Sequence, residues 1–290
     1  MATLRLLLPL SVAAGIGFFD DFPAFHVRPP SNWINDPNGP FRDPVTGMVH
    51  LWMQYNPHGA DWGSMSWYHT VSRDYVHWQR LGPTEALTFN PAKYPYASGG
   101  FYSGSVTLVN GSVPVILYTC VSSKGQVQCA AWPKDPGDPL LYEWQEDPKN
   151  PIISEFPEHV VSSTTFRDPT TALWDKKRQR YLAFMGASLL REDPYQPQTA
   201  TVVGYSGDAA FKDWKFDSVI FEDRYVPLGM FECPDLFELP GGVWVLKVST
   251  MVVTVDYYRL GVFDWDTRKF LPNGSAVPLD YGDHYYASKS

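Results

Sequence analysis

The sequence predicts an all-β protein with the architecture of a β-propeller, and three observations support this prediction. The 290 residues include 11 Trp, 17 Tyr, 17 Phe, 26 Pro and 22 Gly, a composition typical of many short strands joined by tight turns. Two sequence patterns recur along the chain in step with each other, which indicates a repeated supersecondary unit. Runs rich in β-forming residues separate the recurring positions, at residues 48–55, 114–120, 181–186 and 243–255.

The first recurring pattern is a short apolar segment that ends in small, acidic and turn-forming residues. One residue marks each copy: Asp36, Ser103, Asp168 and Glu232. The intervals between these four residues are 67, 65 and 64 positions. A unit of this length suits a propeller blade of roughly three or four short strands with generous loops.

The second recurring pattern is a tryptophan in a polar segment, at Trp78, Trp144 and Trp214. Its intervals of 66 and 70 positions keep pace with the first pattern. A β-sandwich with chance spacing is the alternative, but a sandwich gives no reason for two patterns to stay in step. No linker or low-complexity stretch divides the chain, so we expect a single propeller domain over residues 20–290.

The four marked residues are expected to meet in one pocket, because the innermost strand of each propeller blade lines the central channel. Three of them are carboxylates, and carboxylates at short range raise the pKa of at least one of the group. One ionised and one protonated carboxyl group form the pair that glycoside hydrolysis requires. Proline follows Asp36 and Asp168, which predicts an extended backbone at both aspartates.

Residues 1–19 have the features of a secretory signal peptide. Arg5 precedes an apolar run over residues 6–19, and residues 11–13 (Ser-Val-Ala) offer a cleavage site with small side chains. The run is too short to span a bilayer, so we expect no membrane partner. The alternative is an arbitrary start ahead of the first strand.

The net charge excludes one class of partner, and two acceptor triplets fit a secreted glycoprotein. The net charge of −8 argues against nucleic-acid binding, which needs a basic surface to neutralise phosphates. Asn110 and Asn273 each open an Asn-Gly-Ser triplet, the acceptor for N-glycosylation in secreted proteins. Each triplet is also an ordinary Asn-Gly turn.

The chain has three cysteines. Cys120 and Cys129 flank a predicted turn and would face each other across a hairpin, either as a disulfide or as two buried thiols. Cys233 is then left unpaired. No Cys/His spacing resembles a metal site, and we expect no metal and no cofactor.

Six sequence motifs are similar to those of glycoside hydrolase family 32, which comprises invertases, inulinases, fructan exohydrolases and related fructosyltransferases. In the family's order and spacing they are Trp33-Ile34-Asn35-Asp36-Pro37-Asn38-Gly39, Gln54-Tyr55-Asn56-Pro57, Trp62-Gly63-Ser64-Met65-Ser66-Trp67, Tyr102-Ser103-Gly104-Ser105, Phe166-Arg167-Asp168-Pro169-Thr170 and Glu232-Cys233-Pro234-Asp235. The details favour the plant-like acid invertase branch. The resemblance implies a five-bladed β-propeller followed by a C-terminal β-sandwich.

The resemblance also implies a role for each matching residue. Asp36 would be the nucleophile, Glu232 the acid/base, and Asp168 the stabiliser of an oxocarbenium-like transition state, with Arg167 beside it. The positions that match the fructose-binding residues are Asn35, Gln54, Trp62, Tyr102, Ser103, Arg167 and Cys233. A retaining carboxylate pair should lie about 5–5.5 Å apart.

Two departures from the family pattern stand out. Phe231 and Tyr102 occupy positions where many members have tryptophan, near the site at which water or a sugar accepts the fructosyl group. The marked residues account for only four blades, and residues 280–289 resemble just the opening strand of a fifth. We therefore expect an incomplete propeller without the C-terminal β-sandwich, with exposed blade edges and an incomplete pocket wall. Closure of four blades by themselves is the alternative.

The leading interpretation is a secreted, retaining β-fructosidase that acts on sucrose or a β-fructan in the cell wall or a vacuole. Acid pH should suit it, with Asp36 ionised and Glu232 protonated. Whether so short a chain is active is left open. Three alternatives remain: a fructosyltransferase that uses the same residues, a non-catalytic sugar-binding propeller, and an inverting or phosphorolytic relative, which a wider carboxylate separation would favour.

Overall fold

The computed structural model describes residues 25–290 except residues 194, 196, 224–228 and 283. These residues form a β-propeller of four blades, each built on four antiparallel strands in up-and-down order. The all-β propeller that the sequence predicts is therefore confirmed. The predicted signal peptide, residues 1–19, lies outside the described residues.

The first two blades follow each other directly in the chain. Blade 1 contains β1 (Ile34–Arg42), β2 (Val49–Tyr55), β3 (Ser66–Ser72) and β4 (Trp78–Pro83). Blade 2 contains β5 (Gly100–Val109), β6 (Val113–Ser122), β7 (Gly125–Pro133) and β8 (Trp144–Glu146). Two short 3-10 helices, Glu85–Leu87 and Pro95–Ala97, lie in the connection between these blades.

The third and fourth blades each carry one additional short strand. Blade 3 contains β9 (Phe166–Arg167), β10 (Leu173–Asp175), β11 (Arg180–Leu190), β12 (Gln198–Gly207) and β13 (Lys215–Asp223). Blade 4 contains β14 (Phe231–Leu239), β15 (Val243–Thr250), β16 (Val255–Asp264), β17 (Lys269–Pro272) and β18 (Val277–Pro278). The runs predicted between the repeat positions overlap β2, β6, β11 and β15, the second strand in the order of each sheet. The run predicted over residues 243–255 extends beyond β15 through the turn at residues 251–254.

The repeat positions coincide with irregularities in strand pairing. The register of the β1–β2 ladder shifts between Ile34 and Pro37, and that of the β5–β6 ladder shifts between Phe101 and Gly104. The β14–β15 ladder shifts just after Glu232. Bulges re-aim side chains next to functional sites. In three blades, therefore, a bulge accompanies the marked residue in the strand that lines the centre.

The hydrophobic core lies between the blades. Separate clusters of buried side chains fill the contacts of blade 1 with blade 2, blade 2 with blade 3, and blade 3 with blade 4. Trp144 belongs to the first cluster and Trp214 to the second, whereas Trp78, on the outer strand of blade 1, is half-buried. The second sequence pattern therefore marks outer-strand tryptophans, two of which pack a blade against the preceding one.

Two glycines allow close approach between blades. Gly39 has φ +49°, and a Cβ atom there would lie 2.8 Å from Val106 Cγ2 of blade 2. At Gly186 on β11, a Cβ atom would lie 1.9 Å from the carbonyl oxygen of Phe231 in blade 4. A larger residue at either position would push apart the strands that surround the central cleft.

Cys120 on β6 and Cys129 on β7 form a disulfide, which resolves the alternative left open by the sequence. Cys233 is buried and carries a free thiol. In the part of the chain that the structure describes, no helix is long and apolar enough to cross a membrane.

Residues 280–289, which the sequence likens to the opening strand of a fifth blade, form no strand where the structure describes them. They are held by both backbone and side chain of Asp256 on β16. Its amide donates to the carbonyl of Tyr285 at 2.8 Å, and its carboxylate accepts hydrogen bonds from the amides of Ala287 and Ser288 at 3.0 and 2.8 Å. This C-terminal segment reaches back to the centre of the propeller, where Ser290 N donates to Asp235 Oδ2 at 2.9 Å.

Candidate active site

A cleft of about 370 Å³ lies where the four blades converge. Its lining residues are Asn35, Asp36, Gln54, Trp62, Tyr102, Gln126, Arg167, Asp168, Glu232 and Tyr286. Eight of these ten are candidate residues from the sequence. The two other candidates, Ser103 and Cys233, lie directly behind the cleft carboxylates. The structure therefore brings together residues that are distant in the chain, such as Asp36 and Cys233, which are 197 positions apart.

Asp36 lies on β1 within the bulged region, and its carboxylate is held by two neutral donors. Ser103 Oγ donates to Oδ2 at 2.6 Å, and Asn35 Nδ2 donates to Oδ1 at 3.1 Å. Each carboxylate oxygen thus has its own partner, which fixes the orientation of the group. The side chain is half-buried and remains part of the cleft wall.

Further hydrogen bonds hold these two donors in place. Gln54 Nε2 donates to Ser103 Oγ at 2.6 Å, and Asn35 Nδ2 also reaches Gln54 Oε1 at 3.2 Å. Trp33 Nε1 donates to Asn35 Oδ1 at 2.9 Å. This network fixes the amide orientations of Asn35 and Gln54. The two groups that donate to Asp36 are therefore held in position by their own hydrogen bonds.

Glu232 lies on β14 and is paired with a guanidinium from blade 3. Arg167 Nε donates to Glu232 Oε1 at 3.0 Å, and Nη2 bonds the same oxygen. Arg167 is buried, and its Nη1 donates to Gln126 Oε1 at 3.2 Å and to the carbonyl of Thr164 at 2.8 Å. Among the described residues no hydrogen bond reaches Glu232 Oε2, so that oxygen is available for proton exchange.

Asp168 follows β9 and is almost fully buried. Burial raises its pKa to about 6; the charges of Glu232 and Asp36 add to the rise, and Arg167 opposes it. The prediction of extended backbone is wrong here, because Asp168 has φ +63°. Aspartate tolerates this left-handed region, and tertiary hydrogen bonds from Asp168 N to Thr119 Oγ1 and from Cys233 N to Asp168 Oδ2 hold the conformation.

Cys233 lies between two of the carboxylates. Its Sγ is 3.6 Å from Asp36 Oδ2 and 3.7 Å from Asp168 Oδ2. Burial raises the pKa of the thiol well above its usual value, and the charges of Asp168 and Asp36 raise it further. The sulfur is therefore a neutral thiol, which can donate a weak hydrogen bond to one carboxylate at a time.

Aromatic side chains form one wall of the cleft. Trp62 is 53% exposed, and its ring meets that of Tyr102 edge to face, with ring centroids 5.6 Å apart. Exposed tryptophan beside a polar cleft is a surface on which the apolar face of a sugar ring can pack. Tyr102 is half-buried, and burial raises its pKa.

Two cleft residues were not predicted from the sequence. Gln126 on β7 accepts a hydrogen bond from Arg167 and another from Phe166 N at 3.2 Å. Tyr286 enters the cleft from the C-terminal segment. Neither residue stands at a repeat position. For Tyr286 a signal was present, since the segment 280–289 already resembled part of the family.

The cleft combines three carboxylates, one guanidinium, one thiol and neutral amide and hydroxyl donors. Besides burial, the charges of Glu232 and Asp36 raise the pKa of Asp168, so the carboxyl groups of the cleft interact electrostatically. In the stretches that the structure describes, no group of three or more His, Cys, Asp or Glu side chains is arranged to hold a metal ion.

The sequence is similar to a known family and to individual enzymes. The family described as glycosyl hydrolases family 32, N-terminal domain, matches residues 26–290. The β-fructofuranosidase insoluble isoenzyme CWINV4 of Arabidopsis thaliana is 36% identical over 291 residues, covering 92% of this chain and 46% of that protein. The cell wall isozyme of Zea mays β-fructofuranosidase is 35% identical, with the same two shares. The chain thus spans about half the length of these relatives.

Solved structures agree with the sequence matches. Fructan 1-exohydrolase IIa from Cichorium intybus superposes with a TM-score of 0.77 at 34% identity, covering 91% of this chain and 50% of that one. A variant of the same enzyme is described in complex with 1-kestose. A mutant of the Bombyx mori GH32 β-fructofuranosidase in complex with sucrose superposes with a TM-score of 0.72 at 26% identity, covering 91% and 53% of the two chains.

Proposed function

Because the chain belongs to glycosyl hydrolase family 32, we propose that it hydrolyses terminal β-D-fructofuranosides, with sucrose or a β-fructan as substrate. One observation carries the proposal: Asp36, Asp168 and Glu232 line a single cleft, with Arg167 joining the last two. The relatives solved with sucrose and with 1-kestose support the substrate class.

In the proposed reaction Asp36 is the nucleophile. A carboxylate oxygen of Asp36 bonds to the anomeric C2 of fructose while the bond from C2 to the leaving oxygen breaks. The Ser103 and Asn35 hydrogen bonds hold the carboxylate in one orientation, so less entropy is lost when the reactive geometry forms. The product of this step is a covalent fructosyl-enzyme.

Glu232 is the proposed acid/base. It gives its proton to the leaving oxygen in the first step, then takes a proton from the water that attacks C2 and releases Asp36. The two steps consume one water and yield fructose and the free alcohol, with overall retention at C2. The unbonded Oε2 of Glu232 is the oxygen suited to carry this proton.

Asp168 is proposed to stabilise the positive charge that develops on fructose, with Arg167 beside it. Arg167 Nε lies 3.8 Å from Asp168 Oδ2, so the guanidinium adjoins both Asp168 and Glu232. The ionised carboxylate of Asp168 attracts a positively charged ring strongly, because its buried surroundings have a low dielectric constant. Gln54, Trp62 and Tyr102 complete the proposed fructose subsite as hydrogen-bonding and apolar walls.

We also propose that the protein is secreted to the cell wall or a vacuole. The relatives named above include a cell wall isozyme, and residues 1–19 have the features of a signal peptide. Asn110 is exposed in the turn between β5 and β6, and Asn273 is exposed in the connection between β17 and β18, as attachment of a glycan requires.

The test is the release of fructose and glucose from sucrose at about pH 5 by this chain, with Asp36→Ala as the control. Equal amounts of the two sugars indicate hydrolysis, whereas an excess of glucose indicates transfer of fructose to another sugar. Inulin and levan are the next substrates. Failure to release fructose from all three would contradict the proposed function.

A further inference from the structure

Gln126 on β7 contacts the charged centre of the cleft through one atom of its side chain. Its Oε1 accepts two hydrogen bonds at 3.2 Å, one from Phe166 N and one from Arg167 Nη1. Both donors belong to the short segment of blade 3 that ends in Asp168. Because two N–H groups meet this atom, it is the amide oxygen, and the side chain has one defined orientation. A residue of blade 2 therefore holds part of the site that blade 3 supplies.

The main chain of Gln126 is fixed to the same part of blade 3. Its amide donates to the carbonyl of Ser163 at 2.7 Å. The preceding residue, Gly125, has φ +116°, and a Cβ atom there would lie 2.4 Å from Ser163 Cβ. The strand approaches blade 3 this closely because residue 125 has no side chain. Main chain and side chain of Gln126 are thus both held, and the residue is only 5% exposed.

Arg167 presents two edges to different partners. Nη1 donates to Gln126 Oε1 and, at 2.8 Å, to the carbonyl of Thr164. Nε and Nη2, on the other edge, both bond Glu232 Oε1. The guanidinium is planar and rigid, so a shift of Nη1 also moves the two nitrogens at Glu232. The hydrogen bond to Gln126 therefore acts on the proposed acid/base through one rigid group.

We propose that Gln126 is a positioning residue for the acid/base, because it holds Arg167 in the orientation that engages Glu232 Oε1. Glu232 Oε2 then stays free to carry the proton that the leaving oxygen receives. The amide of Gln126 is neutral, so it orients the guanidinium without competing with Glu232 for its charge, as a carboxylate at this position would. The inference rests on the proposed function, since it requires Glu232 to be the proton donor.

Gln128 provides a matched comparison on the same face of β7, two positions along the strand. Its Nε2 donates to the carbonyl of Phe166 at 3.2 Å, and its Oε1 accepts from Thr119 Oγ1 at 2.7 Å. The side chain is fully buried and contacts the same segment of blade 3. Among the described residues, however, no hydrogen bond joins Gln128 to Arg167. Loss of its amide should therefore affect the segment without acting on the guanidinium directly.

The first test compares two fructosides whose leaving groups differ in their need for a proton. Glucose leaves sucrose with a proton from the acid/base, whereas 4-nitrophenoxide leaves 4-nitrophenyl β-D-fructofuranoside as a stable anion. Gln126→Met keeps the length of the side chain and removes the amide oxygen. We expect it to lower kcat/KM for sucrose about five-fold more than kcat/KM for the aryl fructoside, a small part of the roughly 10²–10⁴-fold that a general acid contributes.

Gln128→Met should lower kcat/KM for both fructosides by the same factor, which is the result expected of a residue with only a structural role. If Gln126→Met also lowers both by the same factor, the positioning role is wrong. Gln126→Asn, which withdraws the oxygen by about 1.5 Å, replaces Gln126→Met should the latter not fold, and it should change the ratio less but in the same direction.

A double-variant cycle decides the question where the parent does not cleave the aryl fructoside. It needs only the sugar that the parent cleaves, whether sucrose, inulin or levan. In an Arg167→Met background, Gln126→Met should cause no further loss of kcat/KM, because the group through which it acts is absent, whereas Gln128→Met should keep its effect. A loss caused by Gln126→Met that is the same with and without Arg167 would overturn the positioning role and leave the proposed function standing. If the parent releases fructose from none of these substrates, the proposed function is wrong, and the positioning role with it.

Discussion

The Ser103 hydroxyl donates a 2.6 Å hydrogen bond to Asp36 Oδ2, joining the first strands of blades 1 and 2. Gln54 Nε2 donates to the same hydroxyl at 2.6 Å, so the proton of Ser103 is directed towards the carboxylate. The carboxylate is consequently oriented by two neighbouring blades, and its geometry depends on how those blades pack.

Ser103→Ala removes this hydrogen bond and leaves the amide of Gln54 without its hydroxyl partner. A hydrogen bond to a charged group contributes about 1.5–3 kcal/mol, so we expect kcat/KM to fall roughly 10- to 100-fold. Steady-state kinetics on sucrose measures both constants. Ser105→Ala, on the same strand, is the control, because Ser105 Oγ is buried with no partner among the described residues. Equal effects of the two substitutions would contradict the assignment.

Asp36→Ala and Glu232→Ala should each lower kcat by several orders of magnitude without unfolding the chain. Asp36 forms the covalent bond, and general acid catalysis alone contributes about 10²–10⁴-fold. Turnover of sucrose and circular dichroism of each variant are the measurements. Glu238→Gln, an exposed position on the same strand as Glu232, should retain full activity. Substantial turnover of sucrose by Asp36→Ala would contradict the assignment of Asp36 as the nucleophile.

The blades could be predicted because their markers are tied to positions that recur in every blade. Asp36, Ser103 and Glu232 stand at bulges of centre-lining strands, and Trp144 and Trp214 pack each blade on the one before it. Residues at equivalent positions of successive blades recur at nearly equal intervals in the sequence. The bulges themselves could not be predicted, since a register shift depends on the partner strand.

Other parts of the site depend on contacts distant in sequence. The proline after Asp168 predicts extended backbone, but the Cys233 amide and Thr119 hydroxyl hold that aspartate in the left-handed region instead. Gln126 and Tyr286 reach the cleft from segments outside the repeat positions. The effect of proline on the preceding residue is local, so it cannot predict the hydrogen bond between Asp168 and Cys233, which are 65 positions apart.

The raised pKa of Asp168 predicts a pH-dependent effect of neutralising it. The folded-state pKa is about 6 and the unfolded value is near 3.9, so the folded state binds the extra proton between these pH values. Stability therefore falls as pH rises through this window, and the cost persists above pH 6. Asp168→Asn should raise Tm at pH 7 more than at pH 4, by roughly 2–4 °C for each kcal/mol recovered. Thermal unfolding at the two pH values measures this, and an equal change at both would contradict it.

A buried histidine pair predicts loss of stability in acid. His50 Nδ1 lies 3.1 Å from His69 Nε2 inside blade 1, where both rings stack beside Trp52. Burial lowers the pKa of His50 to about 4 and that of His69 well below its usual value. Unfolded histidine has a pKa near 6.5, so the unfolded state binds more protons below that pH, and stability falls as pH decreases from about 6.5 to 4.

The double variant His50→Phe/His69→Phe keeps the aromatic stack and removes both titrating rings. Its Tm should decrease less than that of the parent chain between pH 7 and pH 4.5, because each buried histidine costs up to about 1.4 kcal/mol per pH unit in this range. His26 is exposed, so His26→Gln serves as the control, and its Tm should change with pH as that of the parent chain does. Parallel Tm curves for the double variant and the parent would count against the histidine pair.

Two buried carboxylates, Asp235 and Asp256, hold the C-terminal segment, and Asp256 holds the residues next to Tyr286, which lines the cleft. Asp256 accepts hydrogen bonds from Ala287 N and from both the amide and the hydroxyl of Ser288. Lys247, whose Nζ lies 3.8 Å from Asp256 Oδ2, also bonds the carbonyl of Ser288. Tyr286 is the adjacent residue, so its position depends on this anchor.

Asp256→Ala should loosen the segment around Tyr286, although Asp235 still holds Ser290, and should lower kcat/KM for sucrose about ten-fold by displacing Tyr286 from the cleft. Tyr286→Ala should give a similar loss of activity while leaving Tm nearly unchanged, whereas Asp256→Ala also lowers Tm because it strands the buried charge of Lys247. Asp256→Ala and Tyr286→Ala should both act through the side chain of Tyr286. The variant that combines them should therefore be no less active than the less active of the two single variants. Additive losses of activity would show that Asp256 acts elsewhere. Asp266→Ala, at an exposed ion pair with Lys177, provides the control for removing a carboxylate from the same blade.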